Sequence, residues 1–390
     1  MTRMTSRERL IAALKREEVD FVPCCASFNP LDEVFRRDRK WNFPWTPEAS
    51  RTERIDYQVN ELGLDQVVAT YVDLCRPHPD VTSRTWIENG ILHKSYSTPA
   101  GDLHASVRYN EFWPHGEEIH FWSDFNIGHF VEPWIENEQD LECLKYVCRL
   151  DDTGEALEET RDRLAESKKL ADQYGLATLC HVGSGLTGAQ QQMGAEPLCF
   201  MTIDRPDLVD AFLEHEHRQN LHTIEILSEM GVDIIRRNGF YETADFYSPE
   251  MLERFLGNRL RVEADSASAH GMLTSYTVHT GIAPILDYLG SLHMDSLFGI
   301  DIAFKGLDLN AVRARLGETT SFWTGPSSTY HLWKGADATR EAVRKAFEVL
   351  GNRGLVLAPC VSAHSIMPWE STLAMIDEWK KLRFIPQRCG

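Results

Sequence analysis

The sequence predicts a parallel α/β barrel, a (β/α)8 TIM barrel with a β-rich insertion after its second strand, and three observations lead there. Short apolar runs alternate with amphipathic helical stretches through most of the chain, the pattern of strand-helix units around a parallel sheet. Counting from Phe21, eight such runs are found. The last shows the unit most plainly: Leu355, Val356, Leu357 and Ala358 are apolar without interruption, as a strand buried on both faces requires, and Pro359 ends it. Beyond it lie Cys360, Ser362 and His364, then Pro368 and a helix with Ile376 and Trp379 on its inner side. In a barrel of this kind the chemistry sits at the carboxyl ends of the strands.

The chain opens with a helix in which Thr5 and Glu8 have capping-box spacing and Leu10, Ile11 and Leu14 form a stripe. The run 21–26 reads as the first strand, and 28–60, rich in aromatic, proline and charged residues, as a loop and helix over the barrel mouth. The run 66–72 is the second strand and delivers Asp73 at its end. Between 77 and 133 the pattern changes to short alternating runs separated by Asn89-Gly90 and Ala100-Gly101-Asp102, which are antiparallel hairpin signals. That stretch is the insertion, with Trp113 and Trp122 expected in a small core of its own. Helices at 153–174, 206–230 and 249–270 then alternate with strands at 176–181, 232–235, 272–278, 296–300, 320–323 and 355–358. No fixed-period repeat or low-complexity linker interrupts them, so residues 1–390 are expected to form one domain.

Composition bounds the function. With 390 residues, 43% hydrophobic, the chain can bury a sizeable core. Forty basic against 59 acidic residues, net charge −19, exclude a broad surface for duplex nucleic acid or an anionic membrane, since both need clustered positive charge. No window approaches the roughly 18 apolar residues of a membrane span, and the amino terminus has no apolar signal core, so the expected compartment is the cytoplasm. Nine cysteines without any CxxC spacing read as reduced thiols rather than a secreted disulfide framework.

The predicted strand ends offer Asp73, His181, Asn238 with Glu242, His279, Asp301, and Cys360 with His364. Carboxylate, imidazole and thiolate in one cavity suit zinc, which takes mixed oxygen, nitrogen and sulfur ligands and leaves a position open when catalytic. Taken singly, His279 reads as a hydrogen-bonded strand-end histidine, Cys360 as an inert buried thiol, and Glu242 and Asp301 as caps of the following helices. Their joint position at the ends of different strands favours the site. Arg236 and Arg237, after Ile235, are candidates to pair with a substrate carboxylate, or are salt-bridged structural residues.

The opening residues from Thr5 to Leu14, followed by Val19-Asp20-Phe21-Val22-Pro23, resemble the start of the uroporphyrinogen decarboxylase superfamily. Further matches follow in order: Asp204-Arg205-Pro206-Asp207, Gly231-Val232-Asp233, Ser248-Pro249-Glu250-Met251, His279-Thr280-Gly281 before Pro284, and Ala358-Pro359-Cys360 with Pro368-Trp369-Glu370. The resemblance implies a (β/α)8 barrel and two functional branches. The decarboxylase proper carries an arginine-rich stretch after its first strand to hold tetrapyrrole carboxylates; this chain has Ala26-Ser27-Phe28-Asn29-Pro30 there, although Asp73 falls where that branch keeps an aspartate. The corrinoid-linked methyltransferase branch holds zinc by a His-x-Cys pair and a later cysteine. Cys360 matches the later cysteine; His279 lies one place nearer the glycine than expected, and Thr280 stands where the pair's cysteine would be.

The resemblance therefore implies methyl transfer between a corrinoid (cobalamin) protein and a small acceptor or donor, with a modified zinc site drawn from His279, Cys360, Glu242 and His364. Asp73 and Glu242 are the expected catalytic carboxylates; His181, Asn238 and Arg236 would bind substrate. No Asp-x-His-x-x-Gly run occurs, so the corrinoid is expected on a partner protein, and a homodimer is expected by analogy. Two other readings stand beside this one: a metal-free decarboxylase or lyase acting on an acidic tetrapyrrole or another small acid, and a barrel that only binds tetrapyrrole or corrinoid.

Overall fold

In the computed structural model, residues 3–30, 40–122, 129–151 and 154–384 are described. Parts of the expected mouth loop and insertion, at 31–39 and 123–128, and the expected helix start at Thr153 lie outside them. The strands are β1 Val67–Tyr71, β2 Thr82–Glu88, β3 Ile91–Thr98, β4 Gly101–Arg108, β5 Phe130–Glu132, β6 Ala177–His181, β7 Ile234–Asn238, β8 Leu273–Thr277, β9 Ser296–Asp301, β10 Ser321–Gly325 and β11 Leu355–Leu357. Short two-residue pairings complete the set. Seven strands form one parallel sheet in the order β1-β6-β7-β8-β9-β10-β11, each beside its predecessor. Sequential neighbours joined by helices are what strand-helix alternation produces.

The sheet curls. One face gathers Cys25, Ala177, Leu179, Ile234, Leu273, Phe298, Trp323, Val356 and Ala358 into one cluster with Leu10, Ala13 and Leu14 of the first helix, Ser6–Leu14. Residues from strands so far apart touch only where the sheet wraps round that face. Cys180 and Ile235 take the opposite direction by the period-2 alternation and pack on Leu164, Ile224 and Leu227 of the covering helices. The expected first strand is present as a segment with a single bridge, Cys24 to Leu357. Leu357 N–H donates to Pro23 O and Cys25 N–H to Leu357 O, both at 2.9 Å, while Asp65 N–H donates to Cys24 O at 2.9 Å. The segment thus touches β11 on one side and the entry to β1 on the other.

The expected hairpins form a separate four-stranded antiparallel sheet, β2-β3-β4-β5. Its inner face carries Leu92, Leu103, Ala105 and Val107, all wholly buried in the main core cluster. Trp113 packs on that cluster from its rim, whereas Trp122 is exposed, so the two tryptophans do not form the separate core expected of them. Around 40–60, Phe43 and Trp45 pack at 4.9 Å with their rings tilted by 40° and join Phe28 and Trp369 in an aromatic cluster.

Candidate functional site

His279, Gly299 and Cys360 come together at the carboxyl-end side of the sheet, from β8, its neighbour β9, and β11 two places further along. β8 ends at Thr277, and His279 follows after one further buried residue. In β9 the backbone bends at Gly299, whose φ is +82° and where a Cβ would lie 2.6 Å from the His279 ring. Only glycine allows that approach. The Gly299 carbonyl accepts from both neighbours, His279 Nδ1 at 2.7 Å and Cys360 Sγ at 2.7 Å. Fixing Nδ1 as donor leaves Nε2 as the lone-pair nitrogen, and Nε2 is buried without a partner. Burial lowers the His279 pKa, so the ring is neutral; burial, with Asp301 nearby, pushes the Cys360 thiol well up. A neutral imidazole held through Nδ1 by a backbone carbonyl is the arrangement in which metal-binding histidines are oriented.

Beside His279 is a cavity of about 210 Å³ lined by Asp245, Thr280, Phe304 and Lys305 among others. Thr280 Oγ1 donates to Asp245 Oδ2 at 2.6 Å. On the other side, Asp301 accepts from Ser327 Oγ at 3.0 Å and from Ala303 N–H at 2.9 Å, which fixes its carboxylate close to the pair.

The β6 and β7 ends supply a second polar group. His181 Nδ1 lies 3.1 Å from Asn238 Oδ1, and the His181 ring stacks on Tyr71 at 4.9 Å. Burial and then Arg236 drive the His181 pKa down to about 4. Arg236, on the same strand face as Asn238, lies inside the curl: its guanidinium sits 3.6 Å from the Phe298 ring centre and 4.4 Å from that of Trp323, and its Nε reaches Ser275 Oγ at 3.4 Å. It is 93% buried, taking 7% exposure from the whole, and no carboxylate among the described residues pairs with it; Nη2 has no partner. Burial lowers its pKa to about 9.

Three expected site residues lie elsewhere. Glu242 does not join His279 and Cys360. Its carboxylate, with no exposure, accepts from the Tyr276 hydroxyl and Thr187 N–H and lies against Arg237 behind the sheet, because the chain turns back after β7: Glu242 N–H donates to Gly239 O at 3.0 Å. Asp73 projects outward; it accepts from Cys75 N–H at 3.2 Å and pairs with Arg76 at 3.4 Å, spending its charge on its own turn. His364 is held on a two-residue pairing with Asn29, and burial lowers its pKa. Among the described residues the four expected metal ligands form no common cluster. His279 Nε2 is a free zinc-type donor, but Cys360 Sγ is bonded to the same carbonyl as Nδ1, on the other side of the ring, and reaches an ion at Nε2 only on leaving that bond; Glu242 and His364 do not complete the set.

Arg237, one residue from Arg236, faces the opposite way and has its charge paired, reaching Glu263 at 3.2 Å and Glu216 at 3.5 Å, although Nη1 has no hydrogen-bond partner. Glu216 in turn accepts from Ser184 N–H at 2.6 Å and Gly185 N–H at 2.8 Å, so the glycine-rich turn after β6 packs on this ion cluster. Of the two arginines offered by the sequence, only Arg236 lacks a carboxylate partner among the described residues. Asp301 and Phe298 are the site residues that reading underweighted; the bend at Gly299 that assembles them has no signal in hydrophobic pattern.

Fold and cleft define an α/β protein of the curled parallel-sheet class, with its polar groups at the strand carboxyl ends. Among solved structures the chain is similar to a methyltransferase from Methanosarcina mazei, 19% identical, covering 97% of this chain and 99% of that one with a TM-score of 0.64. That likeness establishes the fold. D-psicose 3-epimerase from Clostridium cellulolyticum H10 (12% identity, 57% and 81% covered, TM-score 0.35) and D-allulose 3-epimerase from Methylomonas sp. (14%, 57% and 83%, 0.38) match more distantly. No protein-family model matches the sequence, and no curated protein matches it.

Proposed function

We propose that this chain is a methyltransferase that moves a methyl group between a corrinoid carried by a partner protein and a small molecule bound at the strand carboxyl ends. The carrying observation is the His279–Cys360 pair on the Gly299 carbonyl, with His279 Nε2 buried and free. The sequence resemblance and the methyltransferase whose fold this chain shares support it. We propose also that the 22–26 segment serves as the eighth strand and closes the barrel.

His279 Nε2, joined by Cys360 Sγ once released from the Gly299 carbonyl, would hold zinc, which when bound supplies a Lewis acid that lowers the pKa of an acceptor thiol or similar group. The chain's own residues do the rest. The Gly299 carbonyl aims the imidazole, Phe240 covers one side of the ring at 5.2 Å, and the cavity with Asp245, Thr280 and Lys305 receives the small molecule. Arg236, a buried guanidinium with no carboxylate partner among the described residues, would meet an anionic group of that molecule, flanked by His181 and Asn238. Asp73, turned away on its own turn, serves at most the outer rim.

Arg236 by itself also favours the second reading, a metal-free lyase acting on a small acid, because a buried guanidinium with no carboxylate among the described residues calls for one whatever the chemistry. Elemental analysis separates the two. The purified protein is expected to carry zinc, with one equivalent lost in both His279→Ala and Cys360→Ala, and to consume methylcobalamin in the presence of its acceptor. A folded wild type that takes up no zinc at these residues, even when supplied, would sink the methyltransferase site and leave the lyase.

A further inference from the structure

The face of the antiparallel sheet turned away from the core carries a half-buried cluster that the barrel chemistry does not use. Along β3 and β4 the alternation sends Leu92, Leu103, Ala105 and Val107 into the core, and so sends His93, His104 and Ser106 to the other face. Register then brings them side by side: His93 is opposite Ser106, His104 is opposite Ser95, and Ser106 is opposite Glu132 of β5. Three adjacent strands therefore contribute one imidazole, a second imidazole and a carboxylate to one spot.

We propose that this spot is a binding site for a divalent transition-metal ion, with His93 Nδ1 and His104 Nε2 as its ligand atoms and Glu132 fixing His104 from behind. The two nitrogens are 3.2 Å apart. With metal–nitrogen bonds of about 2.0–2.1 Å, two ligands of a tetrahedral ion stand about 3.3 Å apart, so one ion fits between them without moving either strand. On the far side of the same ring, His104 Nδ1 lies 2.9 Å from Glu132 Oε2, and Ser106 Oγ donates to that oxygen at 3.4 Å. Donation to the carboxylate holds the proton on Nδ1 and leaves Nε2 its lone pair, the arrangement by which outer carboxylates orient metal-binding histidines.

Trp86 fixes the ring planes. It stacks on His93 at 4.9 Å and 7° and on His104 at 5.7 Å and 26°. Stacking covers the faces of the imidazoles, while His93 Nδ1 and His104 Nε2 lie in the ring planes and face each other. Among the described residues this is the one group of three or more His, Cys, Asp or Glu whose ligand atoms all lie within 4.8 Å of one another. Two imidazoles select zinc, nickel, cobalt or copper over magnesium and calcium, which prefer oxygen. The ion would tie β4 to β3, and through His104 would draw in Glu132 on β5, which is only three residues long and has two paired positions with a register shift between them. The site is independent of the methyltransferase reading.

Without metal, the same atoms can share one N–H···N hydrogen bond, and the test must separate the two. Metal-stripped full-length protein is titrated with zinc chloride, then with magnesium chloride, following bound metal and thermal unfolding together. Wild type is expected to bind one zinc equivalent more than His93→Ala, His104→Ala or the milder His93→Gln, whatever the occupancy at Cys360. Its melting temperature rises with zinc by an increment that these variants lack. Glu132→Gln should keep the equivalent at weaker affinity. Equal zinc stoichiometry in wild type and in folded His93→Gln would overturn the site, as would an equal response to magnesium.

Discussion

Glu242 is where a single side chain carries the most unusual chemistry in the fold. Three carboxylates, Glu216, Glu242 and Glu263, surround Arg237, so the cluster would hold a net negative charge were all three ionised. Burial raises the Glu242 pKa to about 7 from an ordinary 4.5, against the opposing pull of Arg237, while the Tyr276 hydroxyl bonds its carboxyl group. A raised acid binds its proton more tightly in the folded state. Stability from this group is therefore complete below pH 4.5 and lost as pH rises from there to about 7, by on the order of 3–4 kcal/mol. Glu242→Gln imitates the protonated form. Denaturant titrations at pH 5, 6, 7 and 8 should show the gap between variant and wild type changing in favour of the variant as pH rises. Taking the difference between the two proteins removes His181, whose pKa, lowered to about 4, makes stability fall as pH drops below about 6.5. A constant gap from pH 5 to 8 would mean that Glu242 is ionised throughout.

At the level of elements, the turn from β6 into the helix Gly185–Met193 shows how tightly that cluster is built. Gly185 has φ +51°, and a Cβ there would run into the Glu242 carboxylate and the Arg237 guanidinium. Gly271 has φ +79° but nothing within 4 Å of its Cβ position. Alanine at either position suffers the left-handed backbone, about 1–2 kcal/mol, and only at Gly185 adds overpacking of about 1–3 kcal/mol. Chemical denaturation should find Gly185→Ala the more damaging of the two; equal losses would show that the ion cluster yields. The seven strands of the sheet and the hairpins were legible in the sequence because burial on both faces and the Asn89-Gly90 turn leave direct marks on composition. His279 and Cys360 were legible as strand-end residues. Glu242 was misplaced because a chain reversal at Gly239 is set by packing against Tyr276, and period-2 or period-3.6 patterns do not encode where a loop points. Arg236 and Arg237 could not be told apart from adjacency alone; strand alternation sends one into the curl and the other to the ion cluster.

Across the whole molecule, the proposed closure of the barrel depends on one buried network where the chain's beginning meets both edges of the sheet. Arg9, 4% exposed, pairs with Asp20 at 2.6 Å and with Asp65, itself 3% exposed. Asp65 Oδ2 accepts from Cys24 N–H at 3.3 Å, and Asp65 N–H donates to Cys24 O. Asp65 lies two residues before β1, and Cys24 is bridged to β11, so a single guanidinium neutralises the acid at the seam between the first and last strands. Removing it leaves a buried carboxylate without its cation, a loss of about 3–5 kcal/mol. Arg9→Ala should therefore do more than lower stability. Backbone amide exchange should speed up together at both edges, in β1 and in β11, while β7 and β8 in the middle of the sheet stay protected until global unfolding. Faster exchange confined to the first helix would show that Arg9 holds only its own helix, and the eighth-strand role of 22–26 would fall with that result.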